Sequence, residues 1–366
     1  MAKAKPARPS FRFDLKPRQI KDHLDRFVIS QDSAKKVLSV ALCDHFNHVR
    51  LCLEGDPAPH YTKQNVLLIG PTGVGKTHLI RSAAELIGVP FVKADATKFS
   101  ETGYVGGDVE ELIRDLIRRA NGDLELAQHG IVYLDEIDKI AAQTGSGRDV
   151  SGKGVQTNLL KLMEDADVPV VSPNEPPPPG MHRAPEHTIN TRHILFIVSG
   201  AFAGLEQEVQ RRLGPSSAEA LHPLEQATTQ DFIRFGFEPE FIGRLPVRVA
   251  CRALSSEDLY RVMRESESSL LRQYERAFRA YGIRVRFGAE GLRRISALAA
   301  AENTGARGLM TVCERILRDF KFELPSSSVR RLKVDAQLVD NPSATLARLL
   351  GRSRRRSPAR RFRRSP

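Results

Sequence analysis

The segment GPTGVGKTHLI, at residues 70–80, places glycines, a lysine and a threonine at a spacing that suits the binding of phosphate groups. It follows an apolar run, NVLLI, and precedes a sequence with helical periodicity, RSAAELIG. A backbone that turns between a strand and a helix directs its N–H groups at phosphate oxygens, while Lys76 adds a cation and Thr77 offers a ligand for Mg²⁺. A motor, a switch and a small-molecule kinase can all use such a segment. The residues predicted to contact the nucleotide here are Pro71, Thr72, Gly73, Val74, Gly75, Lys76, Thr77 and His78.

Two carboxylates, Asp135 and Glu136, end the apolar run GIVYLDE and add the chemistry of hydrolysis. We predict that Asp135 joins Thr77 as a metal-side ligand and that Glu136 is the base that activates water beside the γ-phosphate. A small-molecule kinase has no compelling need for this pair, whereas an enzyme that activates water requires it. The sequence therefore predicts an ATPase that uses ATP and Mg²⁺.

Apolar runs that alternate with helical patterns predict the scaffold of these residues. The expected strands are residues 65–69, 90–95, 130–135 and 193–200. Continuous apolar strands separated by helices indicate a mostly parallel sheet with helices on both faces, an α/β fold. Ahead of the sheet, helical spacing from Ile20 through Phe46 predicts two helices around a bend at Ile29 and Ser30.

The pattern changes near residue 250, where a mainly helical sequence with two short strand-like pieces, IRVRF and RRLKVD, begins. This change predicts a second, smaller domain. Proline-rich residues 173–187 and polar residues 211–226 are expected to be loops. The predicted organisation is a disordered basic tail at 1–14, a large nucleotide-binding domain at 15–249, a small mainly helical domain at 250–340 and a disordered Arg/Ser-rich tail at 341–366.

The formal net charge of +12 raises the question of a nucleic-acid partner. The last sixteen residues hold eight arginines and no acidic residue, so the rest of the chain is close to charge balance. Such a tail binds nucleic acid or an acidic surface through its arginines, or serves only as a solvated tail, and its composition leaves both functions open.

The remaining composition indicates an ordinary globular protein, with 41% hydrophobic and 27% charged residues. No apolar stretch reaches the roughly 18 to 20 residues of a membrane-spanning helix, and the start has no secretory signal pattern. The four cysteines are scattered without metal-ligand spacing, so we expect buried or half-buried thiols rather than zinc or disulfide sites, in a reducing cytoplasm.

Several segments resemble, in the same order, the signature sequences of the ClpX family of AAA+ protein unfoldases. They are GYVGGDVEELI at 103–113, GIVYLDEIDKI at 130–140, RDVSGKGVQTNLLKLME at 148–164, SGAFAGLE at 199–206, FGFEPEFIGRLP at 235–246 and TGARGL at 304–309. The resemblance covers about residues 15–340. It implies an AAA+ ATPase domain followed by a small AAA+ domain, a homohexamer, and ATP-driven unfolding and translocation of protein substrates through a central pore.

The resemblance also implies roles for individual residues. Arg244, in EFIGRLP, matches an arginine finger that reaches the γ-phosphate held by the neighbouring subunit, and Arg307, in GARGL, matches a sensor arginine that the small domain lays over the nucleotide. Together with Glu136 they form the implied catalytic set. The residues that match substrate-gripping pore loops are Tyr104, Val105, Arg148, Asp149, Val150 and Ser151.

Some positions depart from the family pattern. Val28 and Ile29 match the segment that contacts adenine, but Ser30 stands where the family usually has glycine, and Lys153 stands where it typically has glutamate. We expect neither the four-cysteine zinc module found at the N-terminus of bacterial members nor the docking that this module provides. The segment QRRLG at 210–214 is not followed by the Ile-Gly-Phe tripeptide with which the family docks its ClpP peptidase.

Three functions follow from these observations. The leading interpretation is a hexameric protein unfoldase that works with or without a peptidase. The alternatives are an unfoldase that feeds ClpP through a different loop and an AAA+ motor associated with nucleic acid. The tyrosine of the GYVG segment favours a protein substrate, because a nucleic-acid channel would be lined by lysine and arginine.

Overall fold

The computed structural model describes residues 11–56, 61–99, 108–141, 150–170, 188–214, 223–267 and 269–356. Its described residues fall into two compact units. The large unit lies within Met1–Asp25, Gln31–Pro71 and Lys76–Arg252, and the small unit lies within Arg26–Ser30, Thr72–Gly75 and Ala253–Pro366. Two short segments from the first third of the chain are therefore grouped with the small unit.

A parallel sheet forms the centre of the large unit. The strands of this unit are β1 (Val66–Ile69), β2 (Phe91–Asp95), β3 (Ile131–Asp135), β4 (Asp167–Pro169), β5 (Thr188–Asn190), β6 (Leu195–Gly200) and β7 (Val247–Ala250). The main sheet has the order β2-β3-β6-β1-β7 with parallel neighbours, whereas β4 and β5 form a separate antiparallel pair. Because β1 and β6 are buried along their whole length, both faces of the sheet are covered. The predicted α/β fold class is confirmed.

Helices precede the sheet and connect its strands. They are α1 (Pro17–Phe27), α2 (Asp32–Leu53), α3 (Lys76–Ile87), α4 (Glu111–Arg119), α5 (Leu124–Ala127), α6 (Val150–Glu164), α7 (Leu205–Leu213), α8 (Thr229–Phe235) and α9 (Pro239–Gly243). The bend between α1 and α2 arises because Ser30 and Gln31 adopt left-handed backbone angles, with φ of 57° and 61°. No helix among the described residues is long and apolar enough to cross a membrane.

The small unit is mainly helical. Its elements are α10 (Ser256–Glu265), α11 (Leu270–Ala280), β8 (Arg284–Phe287), α12 (Ala289–Ala301), α13 (Ala306–Glu323), β9 (Arg331–Val334), α14 (Ala336–Asp340) and α15 (Pro342–Arg356). β8 and β9 form a parallel pair. The unit has its own apolar core, which includes Phe278, Ile295 and Phe320.

The structure corrects both predicted tails. Phe11 and Phe13 are buried, and each packs against Phe46 of α2, so residues 11–14 are not part of a disordered tail. Residues 342–356 form α15, which buries Leu346 in the core of the small unit. Composition misleads in both places because a few apolar residues among many basic ones are enough to attach a segment to a core. Residues 1–10 and 357–366 lie outside the described residues.

Candidate nucleotide site

The glycine-rich turn after β1 is shaped by close backbone contacts. Gly70 has a φ of +143° and donates its N–H to the carbonyl oxygen of Gly200 over 3.2 Å. A Cβ atom at Gly70 would lie 2.2 Å from the carbonyl oxygen of Cys251, so no other residue fits without backbone movement. The turn leads directly into α3, which begins at Lys76.

Lys76 lies across the turn that precedes it. Its ammonium donates to the carbonyl oxygens of Gly70 and Pro71 over 2.5 and 2.8 Å, and the side chain is buried. Carbonyl oxygens are weaker partners for an ammonium group than a phosphate group, which carries full negative charge. The two bonds to carbonyl oxygens hold the lysine at the N-terminus of α3, where a phosphate group would bind.

The middle of the phosphate-binding segment belongs to the small unit, where its backbone contacts the start of α13. Ala306 donates its N–H to the carbonyl oxygen of Gly73 over 2.9 Å. Gly73 has a φ of +73°, and a Cβ atom there would lie 2.1 Å from the carbonyl oxygen of Thr304. A Cβ atom at Gly75 would lie 3.3 Å from Val28, one of the two residues expected to contact adenine. Both Val28 and Ile29 are buried.

Thr77 and Asp135, the two expected metal ligands, meet at the carboxyl ends of the strands. Thr77 Oγ1 lies 3.3 Å from Asp135 Oδ2 and 3.3 Å from the hydroxyl of Tyr133. Ser199 of β6 donates to Asp135 Oδ1 over 2.7 Å. Burial by itself would raise the pKa of Asp135, but hydrogen bonds from Lys93 and Ser199 outweigh it, and the pKa is lowered. Asp135 is therefore an anion that can bind a cation.

Lys93 is a component of this site that the sequence analysis does not identify. It lies on β2, and its ammonium is 2.9 Å from Asp135 Oδ2 and 3.4 Å from Thr77 Oγ1. The lysine thus neutralises the carboxylate that is expected to hold Mg²⁺. Because Lys93 carries the same sign of charge as the metal ion, the two compete for Asp135.

Replacing Lys93 with methionine should lower the Mg²⁺ concentration that gives half-maximal ATPase activity, because Asp135 loses its competing cation. For a partly exposed ion pair we expect a shift of up to about fivefold. The measurement is ATPase rate against Mg²⁺ concentration, with Lys98→Met, an exposed lysine just after β2, as the control. A higher Mg²⁺ requirement in Lys93→Met would contradict competition and would mean that Lys93 assists the bound nucleotide.

Glu136, the expected base, directly follows Asp135 and donates its backbone N–H to Asp135 Oδ1 over 3.2 Å. Its backbone has a left-handed φ of 58°, and its side chain is exposed. The next residues, Ile137–Ile140, form a short 3-10 turn in which Asp138 accepts the N–H groups of Ala201 and Phe202. The turn is therefore fixed to the end of β6, and a left-handed residue at a strand end is a form of backbone strain that is concentrated at functional sites.

Arg244 follows α9 and is exposed, with its guanidinium 2.6 Å from Glu164 Oε1 of α6. Its backbone is fixed by Asn65, a buried residue whose amide donates to the carbonyl oxygens of Arg244 and Met163. The Asn65 carbonyl accepts the N–H of Phe196 in β6. The arginine thus has a rigid base and a side chain that faces solvent.

The other expected residues lie in different parts of the chain. Arg307 is exposed in the first turn of α13, and His78 is half-buried on α3, where burial lowers the pKa of its imidazole. Val150 and Ser151 are in the first turn of α6. Tyr104, Val105, Arg148 and Asp149 lie outside the described residues.

Ser30, which departs from the family pattern, adopts a backbone conformation that favours glycine, with a φ of 57°. Its hydroxyl donates to Asp258, a residue of the capping box that begins α10. This bond lies within the small unit and supports a serine in the left-handed conformation. Lys153, the other departure, forms an ion pair with Glu238 over 2.8 Å.

The chain is similar to known proteins along most of its length. The profile of the AAA domain (Cdc48 subfamily) matches residues 61–248. The ATP-dependent Clp protease ATP-binding subunit ClpX 3 of Methylococcus capsulatus is 42% identical over 359 residues, which cover 91% of this chain and 82% of the relative. The ClpX subunit of Borrelia duttonii is 42% identical over 352 residues (92% and 81%), and that of Treponema denticola is 38% identical over 348 residues (90% and 82%). With a nucleotide-binding AAA domain and this similarity along nearly its whole length, the chain is an ATPase that belongs to the ClpX family.

Proposed function

We propose that this protein uses ATP hydrolysis to unfold other proteins and to move them through the central pore of a homohexamer. The observation that carries the proposal is the convergence of Lys76, Thr77 and Asp135 at one end of the sheet in a chain of the ClpX family. The relatives are named ATP-binding subunits of ATP-dependent Clp proteases, and remodelling of protein substrates is the activity that such a subunit would supply.

Thr77 and Asp135 are the proposed ligands of Mg²⁺. Their side-chain oxygens lie 3.3 Å apart, and neighbouring oxygens in an octahedral Mg²⁺ site with bonds of about 2.1 Å lie about 3.0 Å apart. The two side chains therefore fit the ion with little movement. When bound, the ion would neutralise charge on the phosphate groups, and the chain's own contribution is to place Lys76 beside those groups and Glu136 beside water.

Arg244 is the proposed link between hydrolysis and assembly. Its side chain is partly exposed, and the ion pair with Glu164 joins two half-exposed groups, so it costs little to break. An arginine on a rigid base can then reach a phosphate group in a neighbouring subunit. Arg307 is proposed to contact the nucleotide from the start of α13, where its neighbour Ala306 bonds to Gly73.

The pore-loop role of Tyr104, Val105, Arg148, Asp149, Val150 and Ser151 stays part of the proposal. A tyrosine between glycines can press against many kinds of side chain, which suits a motor that pulls on varied polypeptides. A peptidase partner is left out of the proposal, because the chain contains no Ile-Gly-Phe tripeptide. Residues 215–222, where a docking loop would follow QRRLG, lie outside the described residues.

The purified protein should unfold a fluorescent protein that carries an unstructured tag, and fluorescence should fall only when ATP and Mg²⁺ are present. The Tyr104→Ala variant should hydrolyse ATP but lose most of this unfolding, since the motor then turns over without gripping its substrate. Tyr281→Ala, at an exposed tyrosine of the small unit, is the matched control. ATPase stimulation by single-stranded DNA, with no stimulation by unfolded protein, would instead support the nucleic-acid motor.

Adding a ClpP-type peptidase should not cause degradation of the unfolded substrate. Apolar loop tips act together on a peptidase ring, so their loss from every subunit removes the whole multivalent contact. A loop that contains Ile-Gly-Phe, inserted between Gly214 and Ala218, should then create degradation. Rapid degradation by the unmodified chain would show that another surface docks the peptidase.

A further inference from the structure

Three side chains able to bind a metal ion meet in the large unit at the amino end of β6, whereas the predicted nucleotide residues of this unit lie at the carboxyl ends of the strands. His48 and Cys52 lie one turn apart on α2, and His193 lies just before β6. One donor atom of each residue lies within 4.8 Å of the other two. His48 Nε2 is 3.4 Å from Cys52 Sγ. His48 is buried, while Cys52 and His193 are half-buried, so the cluster is accessible to a small ion.

Neighbouring groups hold the ring of His48 and the backbone of His193 in place. The ring of Tyr61 stacks on His48 with 3.4 Å between the ring centroids and an angle of 15° between the planes. His45 Nε2 lies 3.0 Å from the carbonyl oxygen of His193 and fixes the backbone of that residue. Contacts that fix a ligand's ring or backbone before an ion binds favour binding of that ion.

The hydrogen bonds of the cluster are incomplete. His193 Nδ1 and the Tyr61 hydroxyl are buried and have no partner among the described residues. Buried polar atoms nearly always have a partner, so unpaired atoms call for an explanation such as an ion or water. His129, whose ring centroid is 6.3 Å from that of His193, also has an unpartnered Nδ1 among the described residues.

Burial and neighbouring cations both act on the imidazoles of the cluster. Burial lowers the pKa of His48, with a further contribution from Arg192. Burial, followed by His129 and Arg192, lowers the pKa of His193 to about 4. Arg192 and Lys63 oppose a cation here, although burial lowers the pKa of Lys63 to about 7, so that part of its charge is lost.

We propose that His48, Cys52 and His193 bind Zn²⁺, with water in the fourth position of a tetrahedron. Two imidazoles and a thiolate are donors that Zn²⁺ prefers. Zinc bonds of about 2.0–2.3 Å place ligand atoms about 3.3–3.6 Å apart in a tetrahedron, so the His48–Cys52 distance already fits and His193 needs an adjustment of about 1 Å. On binding, the sulfur–zinc bond replaces the S–H bond, and the thiol proton passes to solvent. The resulting thiolate offsets one charge of the ion.

This zinc site would connect the carboxyl-terminal half of α2 to the strand that carries Ser199. It also differs from the sequence expectation that the cysteines bind no zinc. A histidine and a cysteine four positions apart are a weak signal by themselves, and the third ligand lies far away along the chain. Only the packing of α2 beside the start of β6 brings the three together.

The test is metal content of the full-length protein after equilibration with a zinc buffer and removal of free ion. The wild-type protein should retain about one Zn²⁺ per chain, and Cys52→Ser and His193→Ala should each retain at least tenfold less at the same free zinc. Cys43→Ala, at another cysteine of α2, is the matched control and should retain the ion. Co²⁺ in place of Zn²⁺ should give a thiolate charge-transfer band and the strong visible bands of tetrahedral geometry in the wild-type protein and in Cys43→Ala, but not in Cys52→Ser or His193→Ala.

The cobalt spectrum separates this site from the nucleotide site, because Thr77 and Asp135 offer no sulfur. Circular dichroism checks that each variant is folded, and Cys52→Ser decides the question if His193→Ala does not fold, since Cys52 is half-buried. Retention of less than a fifth of an equivalent by the wild-type protein would overturn the proposal. Equal zinc content and an unchanged cobalt spectrum in Cys52→Ser would overturn it as well.

Discussion

Replacing Glu136 with glutamine should reduce ATP hydrolysis by about 10²- to 10⁴-fold, the range associated with loss of a general base. ATP binding should persist, because Lys76, Thr77 and Asp135 keep their positions around the phosphate-binding turn. Glutamine has the shape of glutamate but cannot take a proton from water, so the change isolates the base. The measurements are steady-state hydrolysis and binding of a fluorescent ATP analogue.

Glu85→Gln, which removes an exposed carboxylate from α3, is the matched control and should leave hydrolysis unchanged. The Glu136→Gln protein should also retain substrate proteins in the presence of ATP, since the motor is then loaded but stalled. Full ATPase activity in this variant would rule out Glu136 as the base. Loss of nucleotide binding would show that Glu136 contributes to the shape of the site rather than to proton transfer.

The Arg244→Ala variant should lose about 10³-fold or more of its ATPase activity, as expected when an arginine finger is removed. Its own Lys76 site should still bind ATP. Mixing Arg244→Ala with Lys76→Ala chains should restore part of the activity, because some interfaces then pair an intact Lys76 with an intact Arg244. The measurement is hydrolysis as a function of the mixing ratio, with mixed assembly verified by differently labelled chains.

The Glu164→Ala variant distinguishes the ion pair of Arg244 within its own chain from its expected contact with the nucleotide of a neighbouring subunit. It removes the ion-pair partner observed within the chain but leaves the arginine in place. If the arginine acts on a neighbouring subunit, Glu164→Ala should retain most of the ATPase activity. If Glu164→Ala lost as much activity as Arg244→Ala, the ion pair itself would be essential. No recovery in verified mixed assemblies would count against a site shared between subunits.

The sequence predicts four of the five strands of the main sheet and misses β7, one of its two edge strands. β1, β3 and β6 stand out because burial on both faces requires an unbroken apolar run. β7 is not predicted, since an edge strand is partly exposed and its sequence, VRVA, alternates over only four residues. Length and alternation of that kind also occur in loops.

At the nucleotide site, the sequence indicates residues that are adjacent in the chain but not a residue that only the fold brings to them. The phosphate-binding segment and the Asp135–Glu136 pair are continuous in sequence, so their chemistry is readable without a structure. The position of Lys93 depends on the register between β2 and β3, which sets Lys93 opposite Tyr133 and Asp95 opposite Asp135. No pattern within β2 predicts that register. A shift of β2 by one residue relative to β3 would turn Lys93 to the other face of the sheet.

Substitutions of Asn65 should be poorly tolerated, because its side-chain amide joins three elements of the large unit. Three backbone groups bond to this one buried side chain. They are the carbonyl of Met163 at the end of α6, the carbonyl of Arg244 just after α9, and the N–H of Phe196 in β6. Aspartate at this position would keep the shape but lose both donors, and any apolar residue would remove the partner of all three backbone groups. In a comprehensive substitution library scored by ATP turnover, position 65 would therefore rank with the residues that contact nucleotide, although its effect would travel through the backbone of Arg244.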